Sequence, residues 1–207
     1  SETHIRRSLF QSNSATNGGA LYSESFYIIS NSTFTQNSAS ADGGAIYNLG
    51  FIIIDSTTIA RNRAVGNGGG IFVGSGWDGE REPTILNSII AYNEADGSGS
   101  DIHGPIISEG NNLVGDSSDN SGWFGGELVD IDPLLGEISE NGGQTLTIPL
   151  LPNSPAIGVG YCEAEEIDRG DFSIPLPNTH TDQRLAPRKS PCDIGAFETG
   201  TTAPAET

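Results

Sequence analysis

The chain has 207 residues, 35% of them hydrophobic and 17% charged, a globular composition with room for one sizeable core. Nine basic residues face 27 acidic ones, and the resulting net charge of -18 argues against nucleic acid or anionic lipid as a partner. No apolar run reaches the roughly 18 residues that cross a bilayer, so no membrane span is expected in this segment, and no basic-plus-apolar leader opens it.

Twenty-eight glycines among many Ser, Thr and Asn residues favour turn-dense β-structure, because Gly and Asn tolerate the positive φ angles of tight corners. With Ser1 at its start and no methionine, the chain is expected to be a piece of a longer protein. From its beginning it repeats itself. Asn17-Gly18-Gly19-Ala20-Leu21-Tyr22 returns as Asp42-Gly43-Gly44-Ala45-Ile46-Tyr47 and again as Asn67-Gly68-Gly69-Gly70-Ile71-Phe72, each copy 25 residues on (17 to 42 to 67). A second motif keeps nearly the same step: Phe10 to Asn13, Phe34 to Asn37, Ile59 to Asn62 and Ile90 to Asn93. Its last interval stretches to 31 residues (62 to 93) because residues 74–83 insert a loop rich in Gly, Pro and charge.

Between these markers lie short β-branched runs such as Phe26 to Ile29, Phe51 to Ile54 and Thr84 to Ile90, with no two-turn amphipathic helix and no leucine-rich pattern. The reading is all-β: a right-handed parallel β-helix of about 25 residues per coil, with three short strands per coil. A lone coil cannot bury its apolar face, but stacked coils can. Leu21, Ile46 and Ile71 then form one interior column, and Phe10, Phe34, Ile59 and Ile90 another. Two placements fit Asn13, Asn37, Asn62 and Asn93: an inward ladder whose amides satisfy one another and the turn backbone, or a solvent-facing αL corner. Gly18, Gly19, Gly43, Gly44, Gly68 and Gly69 belong to another corner, where a Cβ would collide or force an unfavourable φ.

The organisation is then coils over 1–129, a proline-rich aperiodic region over 130–198 expected to cap the open end of the solenoid, and a Thr/Pro/Ala linker over 199–207. The only cysteines, Cys162 and Cys192, lack CxxC or metal spacing and are read as one disulfide. Such a bridge closes a loop of about 30 residues, contributes about 3.5 kcal/mol, and implies an oxidising compartment.

The GGA[LI] and FxxN pair, in Gly18 to Leu21, Gly43 to Ile46, Phe10 to Asn13 and Phe34 to Asn37, resembles the repeats of polymorphic outer membrane proteins and related β-helix surface proteins. Further on stand Asp132 to Gly136 (DPLLG), Asn141 to Thr145 (NGGQT), Leu150 to Gly158 (LLPNSPAIG), Thr181 to Arg184 (TDQR), Pro187-Arg188 and Cys192 to Glu198 (CDIGAFE). In that order they are similar to the choice-of-anchor Q domain of bacterial secreted proteins. The resemblance implies a right-handed β-helix displayed outside the cell on a C-terminal anchor that differs between members, and it implies no enzymatic activity. This sequence departs from a complete member by opening inside the repeat array and stopping before any anchor.

Parallel β-helices also carry polysaccharide lyases and polygalacturonases, so the fold alone decides nothing. A lyase needs a basic group near Ca²⁺-binding carboxylates, and the single lysine, Lys189, lies far from the coils in sequence. Arg61 and Arg63 flank Asn62 and read as a solvated pair. Asp101-Ile102-His103-Gly104 is the nearest approach to a polygalacturonase-like aspartate–histidine set. Glu163, Glu165, Glu166, Asp168 and Asp171 crowd the loop between the cysteines, and their oxygens suit Ca²⁺. His4, His103 and His180 are isolated, and one sequon, Asn31-Ser32-Thr33, occurs.

The expectation is a structural or adhesive extracellular protein at the cell surface, without catalysis, whose lateral face meets glycans or other copies. End-to-end stacking into homo-oligomers or fibres is a related expectation. The alternative is a pectate-lyase-like or polygalacturonase-like enzyme acting on extracellular polysaccharide.

Overall fold

The computed structural model describes residues 2–74, 83–119, 127–168, 173–177 and 179–205. The inserted loop of 74–83 and Asp171 of the acidic group thus fall wholly or largely outside the described residues. Within them the secondary structure is entirely β. Among the described residues no helix is long and apolar enough to cross a membrane.

The first coil holds β1 (Glu2–Arg6), β2 (Leu9–Gln11), β3 (Ser14–Ala15) and β4 (Leu21–Ser23). The second repeats the order in β5 (Phe26–Ser30), β6 (Thr33–Thr35), β7 (Ser38–Ala39) and β8 (Ile46–Asn48). The third has β9 (Ile52–Asp55), β10 (Thr58–Ala60), β11 (Arg63–Ala64) and β12 (Ile71–Val73). The fourth has β13 (Thr84–Leu86), β14 (Ile89–Ala91), β15 (Glu94–Ala95) and β16 (Ile102–His103). A shorter turn follows with β17 (Ile107–Ser108), β18 (Leu113–Val114) and β19 (Leu128–Val129).

These strands stack into four parallel sheets, not three. Sheet I is β1-β5-β9-β13-β17, sheet II runs from β2 through β6, β10, β14 and β18 to β19, sheet III is β3-β7-β11-β15, and sheet IV is β4-β8-β12-β16. The extra sheet arises because each FxxN segment turns a sharp corner before its Asn. Ser12, Gln36, Arg61 and Tyr92 adopt positive φ there, and the chain then pairs for two more residues. A similar left-handed corner at Arg7, Asn31, Ser56, Asn87 and Asn111 separates sheets I and II.

Register follows the repeat. Phe10 lies beside Phe34, Phe34 beside Ile59 and Ile59 beside Ile90, while Leu21, Ile46 and Ile71 align in sheet IV. The Phe10 and Phe34 rings stack at 4.5 Å. These columns, with Ile29, Ile54 and Ile85 of sheet I, form the interior, and most of their members are fully buried. Burying each such side chain contributes about 1.5–3 kcal/mol, so four stacked coils suffice for a core that one could not supply.

The region 130–198, expected as a cap for the open end, packs along the side of the coils. Leu135, Ile148, Leu150, Ala156 and Ile194 pack on the outward residues of sheet II, namely Ala60, Ile89, Ala91 and Leu113. Its polar contacts reach every coil: Thr181 receives a bond from Arg7, Gln183 from Thr33, Ala196 donates to Thr58, Gly195 to Asn87, and Val159 accepts from Asn111. The physical reason is visible in the strands. Ile89-Ile90-Ala91 is apolar on both faces, so its outer face needs cover as much as its inner one. A hairpin of β20 (Glu166–Asp168) and β21 (Ser173–Pro175) does the same for sheet I, setting Ile167 and Ile174 against Ile28, Ile53 and Leu86.

Candidate functional site

The recurring asparagines form one continuous ladder inside the corner between sheets II and III. Asn13 Nδ2 donates to Asn37 Oδ1, Asn37 Nδ2 to Asn62 Oδ1, and Asn62 Nδ2 to Asn93 Oδ1, each at 2.9 Å. Every acceptor oxygen also takes the backbone N–H of the preceding Asn at 2.9–3.0 Å. The second amide proton turns to a strand carbonyl: Phe10 O for Asn37, Phe34 O for Asn62 and Ile59 O for Asn93. Asn37, Asn62 and Asn93 are buried, Asn13 is exposed, and the left-handed φ belongs to the residue before each of them.

Asp101 ends the ladder. Its Oδ1 accepts from Asn93 Nδ2 at 2.8 Å and from the Asn93 amide at 3.1 Å, while Oδ2 accepts from the Asp116 amide at 2.7 Å. Burial pushes its carboxyl up to about 7 against the pull of these donors. Only eight residues separate Asp101 from Asn93, so the coil period did not reveal the position.

Among the glycines, Gly43 has a φ of +71°, and a Cβ on Gly44 would lie 2.0 Å from the Gly69 carbonyl oxygen of the next coil. The corner is therefore packed backbone to backbone. One ladder escaped the sequence reading: Tyr22, Tyr47, Phe72 and His103 stack on the outer face of sheet IV with centroids 5.2, 4.8 and 5.2 Å apart. Its signal was the aromatic that follows Leu21, Ile46 and Ile71 in each copy.

His103 and Asp101 do not converge on a common point. Asp101 is buried in the ladder, whereas His103 stacks on Phe72 and shares a hydrogen bond with Ser98 at 3.0 Å. Arg61 donates to the carbonyls of Leu135 and Gly136, and Arg63 pairs with Glu94 and Asp96. In the flank region Asp182 binds Arg184 at 2.7 Å, Arg184 lies over the Phe197 ring, and Arg188 reaches Glu198, Asn31 and Gly195. The TDQR and CDIGAFE strings are thus a buried polar hub that locks the flank.

Cys162 and Cys192 form the disulfide that joins the base of the hairpin to this hub. Glu163, Glu165, Glu166 and Asp168 are exposed on and beside the hairpin, and among the described residues no group of three or more His, Cys, Asp or Glu side chains is gathered to hold a metal. Asn31 of the sequon is buried and bonded to Arg188 at 2.9 Å, which removes it as a glycan acceptor in the folded state.

The decisive comparison concerns the coils. Residues 7–24 and 31–49 match the Chlamydia polymorphic membrane protein repeat. Over those stretches the chain is similar to that repeat, and its described coils form a parallel β-helix. Both matched stretches carry an FxxN corner and a Gly-Gly corner, the residues that build the asparagine ladder and the close coil contact. Neither a curated protein nor a solved structure matches the chain.

Proposed function

We propose that this polymorphic membrane protein-like chain is a structural and adhesive scaffold outside the cell, whose lateral coil face contacts surface glycans. The observation that carries this reading is the use of the repeat itself: its Asn and Gly positions are consumed by internal contacts, which leaves the outward-facing column of exposed Tyr22 and half-buried Tyr47 and Phe72 as the recurring surface feature. Aromatic residues are enriched where surfaces meet partners. The fixed cations favour the same reading over polyuronate cleavage. Arg184 and Arg188 are buried and paired, Arg63 is held by two carboxylates, and Lys189 donates to the Thr199 carbonyl. None is poised to neutralise an acidic sugar, and a net charge of -18 repels one.

End-to-end assembly into fibres belongs to the same proposal, because the four parallel sheets grow by adding strands coil upon coil along one axis. The test is binding of the whole chain to a glycan panel and to intact cells. Loss of binding in Tyr22→Ala with Tyr47→Ala, at unchanged melting temperature, supports the lateral face. Full binding by that variant sinks it.

A further inference from the structure

The seam between the flank region and the coils buries an excess of carboxylates. Asp55, at the end of β9, is 3% exposed and accepts a hydrogen bond from Ser56 Oγ at 2.8 Å. Asn31 ties this corner to the flank: its amide donates to the Asp55 carbonyl, and its Oδ1 accepts from Arg188 at 2.9 Å. The Nη atoms of Arg188 are already engaged: Glu198 lies 3.5 Å away, and they donate to Asp193 O, Asn31 Oδ1 and Gly195 O, while Nε is buried without a partner. The other guanidinium of the hub, Arg184, is taken by Asp182 through two of its nitrogens. Asp55, Asp182, Asp193 and Glu198 are buried with the side chains of Arg184 and Arg188, and Arg7 reaches the seam from the first coil through Thr181, so acids outnumber bases there by four to three.

We propose that the flank region is a pH-sensitive latch, docked most firmly when Asp55 carries a proton and loosened as that proton leaves. Burial raises the Asp55 carboxyl to about 6 and also raises Glu198. A carboxyl raised in the docked state gives docking an advantage at low pH that is lost as pH climbs through its docked value. What the latch covers gives it consequence. Loosening uncovers Ala60, Ile89, Ala91 and Leu113 of sheet II, an apolar strip that would be sticky when exposed. The idea is independent of the glycan reading.

Hydrogen exchange on the whole chain tests it, comparing flank amides Gly195 and Ala196, which bond Asn87 and Thr58, with the coil amide of Asn37. Both are read in an Asp101→Asn background, which removes the pH dependence that Asp101 gives the ladder. After correction for intrinsic rates, protection of the flank amides is expected to fall about tenfold between about pH 5 and pH 8, with the Asn37 amide changing much less. Adding Asp55→Asn should flatten the flank profile. A flat flank profile with Asp55 intact, an equal slope at Asn37, or an undiminished slope in the double variant overturns the latch. Should the double variant not fold, the contrast between the two sets of amides with Asp55 intact decides alone.

Discussion

Asn62 donates its side-chain amide to Asn93 Oδ1 at 2.9 Å while its own Oδ1 accepts from Asn37 at the same distance. Each rung therefore satisfies its neighbours on both sides. Replacing Asn62 with Ala takes the acceptor from the Asn37 backbone N–H and from one of its side-chain amide protons, and takes a donor from the Phe34 carbonyl, all in a buried corner. The expected cost is about 3 kcal/mol or more, read as a melting point lower by about 6–12 °C in a chain of this size. An unchanged midpoint by circular dichroism contradicts the buried ladder.

The glycine corner gives a contrast within one experiment. Gly44→Ala drives a Cβ to 2.0 Å from the Gly69 carbonyl oxygen, so the coils must separate. Gly158 has a positive φ of 65° but open space around it, and Gly158→Ala should cost only about 1–2 kcal/mol. Urea unfolding should place Gly44→Ala far below Gly158→Ala. Equal midpoints would mean that the coil-to-coil contact is not tight.

Asp101 makes stability depend on pH in an uncommon direction. Its folded carboxyl is raised to about 7, chiefly by burial, so the folded chain holds the proton more tightly than the unfolded chain does. The stabilisation is complete below the ordinary carboxylate value near 4 and is lost as pH rises through about 7. The melting temperature should therefore decline across that window, and Asp101→Asn should reduce the slope. The same slope in the variant would assign the effect to other groups.

Reducing the Cys162–Cys192 bridge, which spans 30 residues, removes up to about 3.5 kcal/mol by chain-entropy reasoning. Loss should begin at the hairpin, so the amide of Leu176, bonded to Glu165, should lose exchange protection before that of Asn62 in the ladder. Simultaneous loss at both places would mean that the hairpin is not a separable unit.

The interior was legible because Phe10, Phe34, Ile59 and Ile90 recur at a step that only stacked coils explain. Sheet III was not, since Ser14–Ala15 and its counterparts are two residues long and carry no apolar run; the recurring Ala15, Ala39, Ala64 and Ala95 was the faint signal. The flank's position was hidden because Phe51 to Ile54 was read only as a short β-branched run. Its alternate residues face opposite ways, Ile54 into the core and Ile53 under the hairpin, and a run apolar on both faces announces a covering layer. Asp101 was obscured by the DIHG string, which drew attention to its neighbour His103 when its partner is Asn93.

The central claim, that the repeat builds a scaffold and performs no chemistry, is tested most directly by incubating the whole chain with a panel of neutral and acidic polysaccharides and measuring new reducing or unsaturated ends. The account predicts none above background, with or without Ca²⁺. Turnover that is abolished by His103→Ala while the melting temperature is unchanged would contradict it.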